Sequence, residues 1–301
     1  MVKGPTEVIL DPLGFYRIAA LPTVSELNDY YGSTYYQNPH GTYQESYTTD
    51  ELEQLRQKFA LRLLMVGEEI FADGKQMPTL LDIGCGEGWF LQYMQNEGFE
   101  VSGLDFSKFG VEKHNPKLIP NVTQGDIQLL MQQLIDSNQR YDLLFLGNIL
   151  EHVLDPETVM RNCSKLLSPD GGILITVPND FSILQNSLLE NKNIQTAYWV
   201  SPPDHLNYFT SNSLKNFLSS IGLEVLKTIA DFPIDWFLAN RDSNYVTEPS
   251  KGKNAHAART FLESLINQNN DPYRALTFWE SLAEIGHGRT ITTFAKLKRT
   301  E

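Results

Sequence analysis

The stretch from Thr79 to Gly88 constrains the fold of this chain more than any other. Residues of strand character run into an acidic residue, and glycines then occupy the alternate positions 84, 86 and 88 just before a helical pattern. Alternate glycines allow the backbone to turn tightly and to approach a ligand closely. The helix that follows directs unpaired N–H groups, and the positive end of its dipole, toward the loop. The pattern therefore predicts a loop that binds a nucleotide-like ligand carrying a carboxylate or a phosphate.

The spacing of the glycines separates two kinds of nucleotide loop. A dinucleotide fold uses G-x-G-x-x-G, in which the third glycine allows close packing of helix on strand. In this chain Gly88 comes one position earlier, and Trp89 occupies the position of that third glycine. The spacing disfavours a nicotinamide dehydrogenase, which remains the fold-level alternative. The choice between the two kinds of loop then depends on whether other polar residues follow the neighbouring strands at matching positions.

Charge and cysteine content limit the partners of the chain. Its 301 residues carry a formal net charge of -13, whereas nucleic acid and anionic membranes attract basic surfaces. The longest apolar runs fall short of the ~18 residues of a membrane span. The two cysteines, Cys85 and Cys163, form no C-x-x-C pattern, and the apolar run 8–10 is too short for a signal peptide. We expect a cytoplasmic protein with a small-molecule partner.

An amphipathic helix precedes the glycine loop. Apolar residues recur at three- and four-residue intervals between positions 52 and 70, which is typical of a helix with one buried face. Asp50 and Glu53 are predicted to cap its start, and Gly74 to end it.

Strands and helices alternate after this helix, which indicates an α/β fold with a largely parallel sheet and helices on both faces. Ligands of such sheets bind at the carboxyl ends of the strands, where the direction of winding reverses. The predicted strands cover residues 79–82, 100–104, 121–124, 141–146, 173–177, 223–229 and 290–297.

Three segments are additions to the predicted core, which spans residues 50–231 and ends with a last strand in 289–301. Residues 1–49 are rich in proline, glycine and tyrosine, and we interpret them as an aromatic segment packed on the core or as a flap that closes over a ligand. Residues 180–210 form a lid insertion within the core. Residues 232–288 form a second, helical insertion, and insertions at this edge usually select the substrate.

Polar residues follow three successive strands, in step with the glycine loop. Asp105 ends the second strand, where a carboxylate can accept hydrogen bonds from both ribose hydroxyls. Asp126 follows the third strand and could accept from an adenine amino group, with Ile127 on the face of the ring. Asn148 to His152 follow the fourth. Each alone would suit a helix cap or a turn, but together they predict a nucleoside site.

These segments resemble the motifs of class I S-adenosylmethionine-dependent methyltransferases, and most closely the branch with ubiquinone-biosynthesis O-methyltransferases and many bacterial sugar and natural-product methyltransferases. The resemblance implies a Rossmann-like sheet of seven strands, mostly parallel, with the last strand antiparallel. It also implies S-adenosylmethionine as cofactor and S-adenosylhomocysteine as product. The matching segments are Asp82–Gly88, Leu104–Asp105, Gly125–Asp126, Asn148–Val153 and Leu167–Gly172.

The resemblance also implies the parts that individual residues play. The glycine loop lies along the methionine portion, Asp82 lies near its amino group, Asp105 binds the ribose, and Asn148 with Ile149 borders the sulfonium. The implied cofactor contacts are Asp82, Gly84, Cys85, Gly86, Asp105, Phe106, Asp126, Ile127, Asn148 and Ile149.

Methyl transfer to oxygen requires alignment of the acceptor with the methyl–sulfur bond at about 3–3.5 Å, and it benefits from a general base. His152 is the preferred candidate base because it follows the fourth strand, and His205 in the Pro-Pro-Asp-His loop comes next. Each histidine also has a structural interpretation as a satisfied hydrogen-bonding residue.

Candidate acceptor contacts lie in the added segments. Arg259 and Arg289 could hold a phosphate or carboxylate of an activated sugar by bidentate bonds, although the preferred interpretation is a solvated helix face and a surface arginine. Tyr36 and Tyr208 could contribute hydroxyls and apolar surface. No histidine or acidic cluster has the spacing of a metal site, so metal-independent catalysis is expected.

The sequence therefore predicts methyl transfer to a small molecule, with O-methylation of a sugar or a related metabolite preferred. N- or C-methylation on the same scaffold and a non-catalytic adenosylmethionine-binding protein are the alternatives.

Overall fold

The computed structural model of the chain describes residues 7–23, 25–27, 46–71, 77–268 and 271–298. Its ten strands within those ranges are β1 (Val8–Leu10), β2 (Tyr16–Ile18), β3 (Thr79–Ile83), β4 (Glu100–Asp105), β5 (Val122–Gln124), β6 (Tyr141–Gly147), β7 (Leu167–Pro178), β8 (Asn207–Tyr208), β9 (Leu223–Ala230) and β10 (Thr290–Leu297). Its α-helices of six residues or more are α1 (Thr49–Ile70), α2 (Trp89–Asn96), α3 (Phe109–His114), α4 (Ile127–Asp136), α5 (Pro156–Leu166), α6 (Ile183–Glu190), α7 (Ser211–Ser220), α8 (Gly252–Gln268) and α9 (Pro272–Glu284).

The central sheet contains seven strands in the order β5-β4-β3-β6-β7-β10-β9. The pairs from β5 through β7 are parallel, whereas β10 is antiparallel to both of its neighbours. This confirms the predicted seven-stranded sheet with an antiparallel last strand. The chain winds outward from β3 to β5 and then returns to β6 on the other side of β3. The winding therefore reverses beside β3, and the glycine loop leaves the carboxyl end of that strand.

Helices cover both faces of this sheet because successive strand residues point to opposite sides. In β3, Leu80 belongs to the hydrophobic cluster beneath α1, α2 and α9, whereas Leu81 belongs to the cluster beneath α4, α5 and α7. Both side chains are fully buried. Burial on both faces explains why most residues of β3 and β6 are apolar.

A second, three-stranded sheet has the order β1-β2-β8. The β1–β2 hairpin pairs through Tyr16 and Arg17 with the lid insertion at β8. A separate hydrophobic cluster, including Ile18, Trp199 and Tyr208, packs beneath this sheet. The sequence prediction missed the hairpin, because strands of three residues carry almost no periodicity.

Two local predictions are corrected by the structure. Helix α1 begins two residues earlier than predicted: Thr48, in extended conformation, is the N-cap and forms a capping box with Glu51. Glu53 instead bonds to Arg56. The predicted turn before the fifth strand is part of β7, where the register moves from Tyr141–Leu167 to Leu143–Gly172. The extra residues of the turn are therefore accommodated as an irregularity within the strand.

The insertion helices α8 and α9 lie close to the predicted positions. No helix in the described ranges is both long enough and apolar enough to cross a membrane.

Candidate active site

A cavity of about 540 Å³ opens at the carboxyl ends of β3, β4 and β6. This volume is within the usual range for a small-molecule site. The cavity is lined by the glycine loop, by the polar ends of the three strands, and by aromatic side chains. The lining includes Tyr47, Phe59, Arg62, Asp82, Gly84, Cys85, Gly86, Glu87, Gly88, Trp89, Asp105, Phe106, Ile127, Phe145, Asn148, Ile149 and His152.

The glycine loop is shaped by its backbone. The N–H groups of Gly84 and Cys85 both donate to the carbonyl of Leu104, at 2.7 and 3.1 Å, which joins the loop to β4. Gly84 has a φ of 78°, and a Cβ at this position would lie 2.2 Å from Cδ1 of Ile149. Gly86 has a φ of 54° and faces open space. Glycine is required at the first position by conformation and by close approach, and it is favoured at the second by conformation.

Asp105 connects the end of β4 to the loop. Its carboxylate accepts hydrogen bonds from the N–H groups of Gly86 at 2.7 Å and Ser107 at 2.9 Å. The side chain is buried, yet it forms part of the cavity wall. The sequence prediction placed a carboxylate here for the ribose alone, whereas the structure shows that the same carboxylate also positions the loop.

Asp82 is the buried carboxylate at the base of the cavity. Burial raises its pKa well above the usual range, and the nearby charge of Asp105 adds to this effect. Arg62 acts in the opposite direction. An ammonium group entering the cavity would stabilise the ionised form of Asp82 in the same way.

Arg62 of α1 is the main cavity residue that the sequence prediction missed. Its guanidinium lies 5.5 Å from the ring centre of Phe59 and 5.1 Å from that of Phe145. Within the described chain it makes no hydrogen bond or ion pair, and burial lowers its pKa to about 10. The attraction of Asp82 and Asp231 opposes that effect. The cavity therefore presents a cation that has no hydrogen-bond or ion-pair partner among the described residues and that would be stabilised by an anionic ligand group.

Tyr47 brings the segment before α1 to the glycine loop. Its hydroxyl donates a hydrogen bond to Glu87, and the indole N–H of Trp89 donates to the same carboxylate at 2.8 Å. Burial and the charge of Glu87 both raise the pKa of Tyr47. Tyr47 belongs to the segment 1–49, for which an aromatic flap is one of the two interpretations. The tyrosine run that suggested the flap, which includes Tyr36, lies outside the described residues.

The far wall of the cavity is formed by residues that follow β6. Asn148 has a left-handed φ of 57°, and its N–H donates to the carbonyl of Thr176 at 2.8 Å. Asparagine tolerates this conformation better than most residues, and such conformations are concentrated at functional sites. The turn brings Ile149 against Gly84 and directs His152 into the cavity wall.

His152 contacts the loop that carries His205. Its Nδ1 lies 2.7 Å from the carbonyl oxygen of Asp204 and is therefore protonated, because a carbonyl only accepts. Its Nε2 lies 3.8 Å from Oε1 of Glu151. Burial alone would lower the pKa of His152, but the hydrogen bond and charges of Asp204 and Glu151 raise it to about 8. The rings of His152 and His205 are 5.0 Å apart.

Backbone hydrogen bonds hold this loop against the turn. The N–H groups of Leu206 and Asn207 donate to the carbonyl of Glu151 at 2.7 and 3.1 Å. The side-chain amide of Asn207 donates to the carbonyls of Leu150 and Val153. His205 is consequently fixed beside Glu151 although the two residues are far apart in sequence.

The comparisons with known proteins agree with this geometry. Residues 52–228 match the family model described as a methyltransferase domain, which is more than half of the chain. The chain belongs to this methyltransferase family. The resemblance stated from the sequence motifs is therefore confirmed.

Two ubiquinone biosynthesis O-methyltransferases illustrate the curated relatives. That of Proteus mirabilis is 32% identical over 134 residues, covering 43% of this chain and 53% of the relative. That of Coxiella burnetii strain RSA 331 is 26% identical over 172 residues, covering 55% of this chain and 70% of the relative. The match with the first of these spans about half of the relative's length.

Two solved structures share the fold. A plantazolicin methyltransferase is 17% identical, with a TM-score of 0.53 over 91% of this chain and 95% of that chain. The 1,6-didemethyltoxoflavin-N1-methyltransferase of Burkholderia thailandensis is 13% identical, with a TM-score of 0.52 over 97% of this chain and all of that chain. Both were solved with bound S-adenosylhomocysteine.

Most of the cofactor residues predicted for this methyltransferase line the cavity, but Asp126 does not. Its side chain is exposed and caps α4 by accepting a hydrogen bond from the N–H of Leu129 at 3.0 Å. Ile127, the next residue, does reach the cavity. The helix-cap interpretation therefore accounts for Asp126, and any contact with the adenine edge stays a prediction.

Three predicted acceptor residues also lie outside the cavity wall. Tyr208 is almost fully buried, and its hydroxyl donates to the carbonyl of His205 at 2.8 Å. Arg259 bonds to Glu263 at 3.2 Å within α8, and Arg289 forms an ion pair with the buried carboxylate of Asp180 at 2.6 Å. Both guanidinium groups are already neutralised by carboxylates. The structure therefore assigns these three residues structural contacts.

Proposed function

We propose that this protein transfers the methyl group of S-adenosylmethionine to a hydroxyl oxygen of a small-molecule acceptor. The main support for the proposal is the cavity at the carboxyl ends of β3, β4 and β6, where the glycine loop, Asp105 and the guanidinium of Arg62 line one space. These groups complement the chemistry of the donor, which combines a ribose with a zwitterionic amino acid.

Each end of the donor has complementary groups in the cavity. Asp105 has the position and charge to accept hydrogen bonds from ribose hydroxyls while it holds Gly86. Arg62 is the cation available for the methionine carboxylate, and Asp82 is the carboxylate available for the amino group. Phe106 and Ile127 supply apolar surface for the adenine ring.

The acceptor is assigned to the end of the cavity formed by Asn148, Ile149 and His152. In the reaction the acceptor oxygen forms a bond to the methyl carbon, the carbon–sulfur bond breaks, and the sulfonium becomes a thioether. The acceptor must also lose its hydroxyl proton, and His152 is the titratable group on that wall. We therefore assign activation of the acceptor to His152, supported by His205 behind it.

The choice of oxygen rests on two observations. The curated relatives are O-methyltransferases by name, and a histidine stands where proton removal from a hydroxyl would be useful. A sugar or a related hydroxylated metabolite is the acceptor class that we propose. The location proposed is the cytoplasm, in keeping with two free, buried cysteines.

Incubation with methyl-labelled S-adenosylmethionine and separate pools of activated sugars, phenols and amines tests this function. We expect label in a hydroxylated acceptor and equimolar formation of S-adenosylhomocysteine, because one methyl group leaves each donor. A heat-inactivated sample controls for chemical methylation. Transfer to amines alone would overturn the O-methylation assignment, and tight donor binding with no transfer to any pool would favour the non-catalytic alternative.

A further inference from the structure

A small side pocket of about 40 Å³ adjoins the main cavity, between α1, α8, α9, the end of β9 and the start of β10. Four residues line both spaces: Lys58, Arg62, Asp231 and Thr290. The buried carboxylate of Glu263 forms part of the remaining wall. The volume is enough for about three groups of the size of a water molecule. The side pocket can therefore hold a few polar atoms of a ligand that lies in the main cavity.

The side pocket lies beyond the wall assigned to the reacting oxygen of the acceptor. In the sheet order β9 is three strands away from β6, so the ends of these strands are about 14 Å apart at the usual strand spacing. Thr176 of β7 and Thr290 of β10 line the main cavity between them. The cavity therefore extends from the donor end at β3 and β4 to Asp231, which follows β9. The part of an acceptor that reaches the side pocket is remote from the reacting oxygen.

Asp231 offers one carboxylate oxygen to a ligand. Its Oδ1 accepts hydrogen bonds from the N–H groups of Arg289 at 2.8 Å and Thr290 at 2.7 Å. Its Oδ2 has no hydrogen bond or ion pair among the residues that the structure describes, and the side chain lines both spaces. The two backbone hydrogen bonds fix the carboxylate, which preorganises Oδ2 as a hydrogen-bond acceptor. A ligand group that binds to Asp231 must therefore donate a hydrogen bond.

Lys58 and Thr290 add hydrogen-bond donors to the same space. Nζ of Lys58 lies 3.3 Å from Oε1 of Glu263, and this ion pair engages one of the three N–H groups of the ammonium. The hydroxyl of Thr290 makes no hydrogen bond within the described ranges, and a hydroxyl can both donate and accept. A ligand group that uses the whole side pocket must therefore donate to Asp231 and also accept from these donors.

The charges around the side pocket are balanced. Glu263 pairs with both Lys58 and Arg259, at 3.3 and 3.2 Å. Two cations, Glu263 and Asp231 together have a formal charge of zero, and Arg62 is assigned to the carboxylate of the donor. A phosphate or carboxylate would lie close to Asp231, and an ammonium would lie close to Lys58, so either charged group meets a like charge. A neutral hydroxyl can donate to Asp231 and accept from Lys58 without such repulsion.

We propose that the side pocket binds the hydroxyls of a neutral part of the acceptor, with Asp231 accepting a hydrogen bond from one hydroxyl and Lys58 donating to a hydroxyl oxygen. The inference rests on the proposed methyl transfer and narrows its acceptor to an uncharged glycoside, because a sugar ring carries several hydroxyls that donate and accept at once. The hydroxyls in the side pocket are remote from the oxygen that receives the methyl group. A phosphorylated sugar or an amino sugar does not match this site.

Methyl transfer to three matched pools of sugars tests the acceptor class. The wild-type chain is incubated with methyl-labelled S-adenosylmethionine and with neutral disaccharides and glycosides, with sugar phosphates, or with amino sugars. We expect label in the neutral pool, because its hydroxyls meet no like charge in the side pocket. The most strongly labelled member of that pool then serves as the acceptor for kinetics with variants of the side pocket.

Asp231→Asn keeps an oxygen for the two backbone N–H groups but replaces the other oxygen by an N–H donor. We expect KM for the acceptor to rise at least about tenfold, while kcat and the affinity for S-adenosylhomocysteine stay within about twofold of the wild type. Asp271→Asn is the matched control. Asp271 also accepts from two backbone N–H groups with one oxygen, but it caps α9 outside both spaces, so its KM should not change.

Binding of S-adenosylhomocysteine separates this proposal from the proposed function. Where it binds, label confined to sugar phosphates or amino sugars, or no label in any sugar pool, would overturn the side-pocket proposal and leave the methyltransferase assignment intact. A KM for Asp231→Asn within about twofold of the wild type would also overturn it. If Asp231→Asn fails to fold, Lys58→Met decides alone, with a KM expected to rise at least about threefold. A wild-type chain that does not bind S-adenosylhomocysteine would contradict the proposed function itself.

Discussion

Asp105→Ala is expected to weaken the binding of S-adenosylhomocysteine by at least about 100-fold, or about 2.7 kcal/mol. The substitution removes the carboxylate proposed for the ribose hydroxyls. It also frees the N–H groups of Gly86 and Ser107, which that carboxylate holds at 2.7 and 2.9 Å. The ribose contact and the shape of the loop are lost together, so the effect should exceed that of one hydrogen bond. Isothermal titration calorimetry measures the affinity.

Asp142→Ala is the matched control for this experiment. Asp142 is also a buried aspartate of the central sheet, but it lies at the opposite edge, where its carboxylate accepts hydrogen bonds from Thr79 and Ser168. We expect this variant to lose stability without a change in affinity for S-adenosylhomocysteine. A dissociation constant for Asp105→Ala within threefold of the wild type would contradict the assignment of Asp105 to the ribose.

Arg62→Met is expected to reduce S-adenosylhomocysteine affinity by at least about tenfold while changing the free energy of unfolding by no more than about 1 kcal/mol. Within the described chain the guanidinium has no hydrogen-bond or ion-pair partner, so its removal takes away only the longer-range attraction of Asp82 and Asp231 and the contacts with the two aromatic rings. Methionine retains the unbranched apolar stem that packs beside Phe59 and Phe145. The substitution should therefore weaken ligand binding and leave the folding stability nearly unchanged.

Titration of S-adenosylhomocysteine and thermal unfolding of the ligand-free variant measure the two quantities separately. Arg56→Gln, on the exposed side of the same helix, is the control, because Arg56 pairs with Glu53 and should leave affinity unchanged. Unaltered affinity in Arg62→Met would contradict the proposed contact between Arg62 and the methionine carboxylate of the ligand. A large loss of stability would instead mark Arg62 as a structural residue.

The parts of the site that could be predicted depend on residues that lie close together in the sequence. Three features each follow a predicted strand by a fixed number of residues: the alternate glycines, Asp105 at the end of β4, and Asn148 after β6. Parallel strands bring their carboxyl ends to one edge, so their convergence follows from the fold class. Asp126 shows the limit of this reasoning, because a strand-end aspartate can equally cap the next helix.

The parts that could not be predicted depend on contacts between distant segments. Arg62 occupies one position of an amphipathic helix, and its direction into the cavity is set by how α1 packs on the sheet. The contact between the turn at Glu151 and the loop of His205 joins residues more than fifty positions apart, through backbone hydrogen bonds from Leu206 and Asn207 to Glu151. The pairing of Arg289 with Asp180 is equally non-local. Arg289, which was predicted to bind an anion, therefore contacts Asp180 and does not line the cavity.

The central claim is that the glycine loop and the neighbouring strand ends bind an adenosyl-sulfonium donor. Calorimetric titration of the full chain with S-adenosylmethionine, S-adenosylhomocysteine and NAD tests it most directly. We expect one site per chain for S-adenosylmethionine and for S-adenosylhomocysteine, and no heat of binding with NAD. Binding of NAD without binding of either sulfur compound would contradict it.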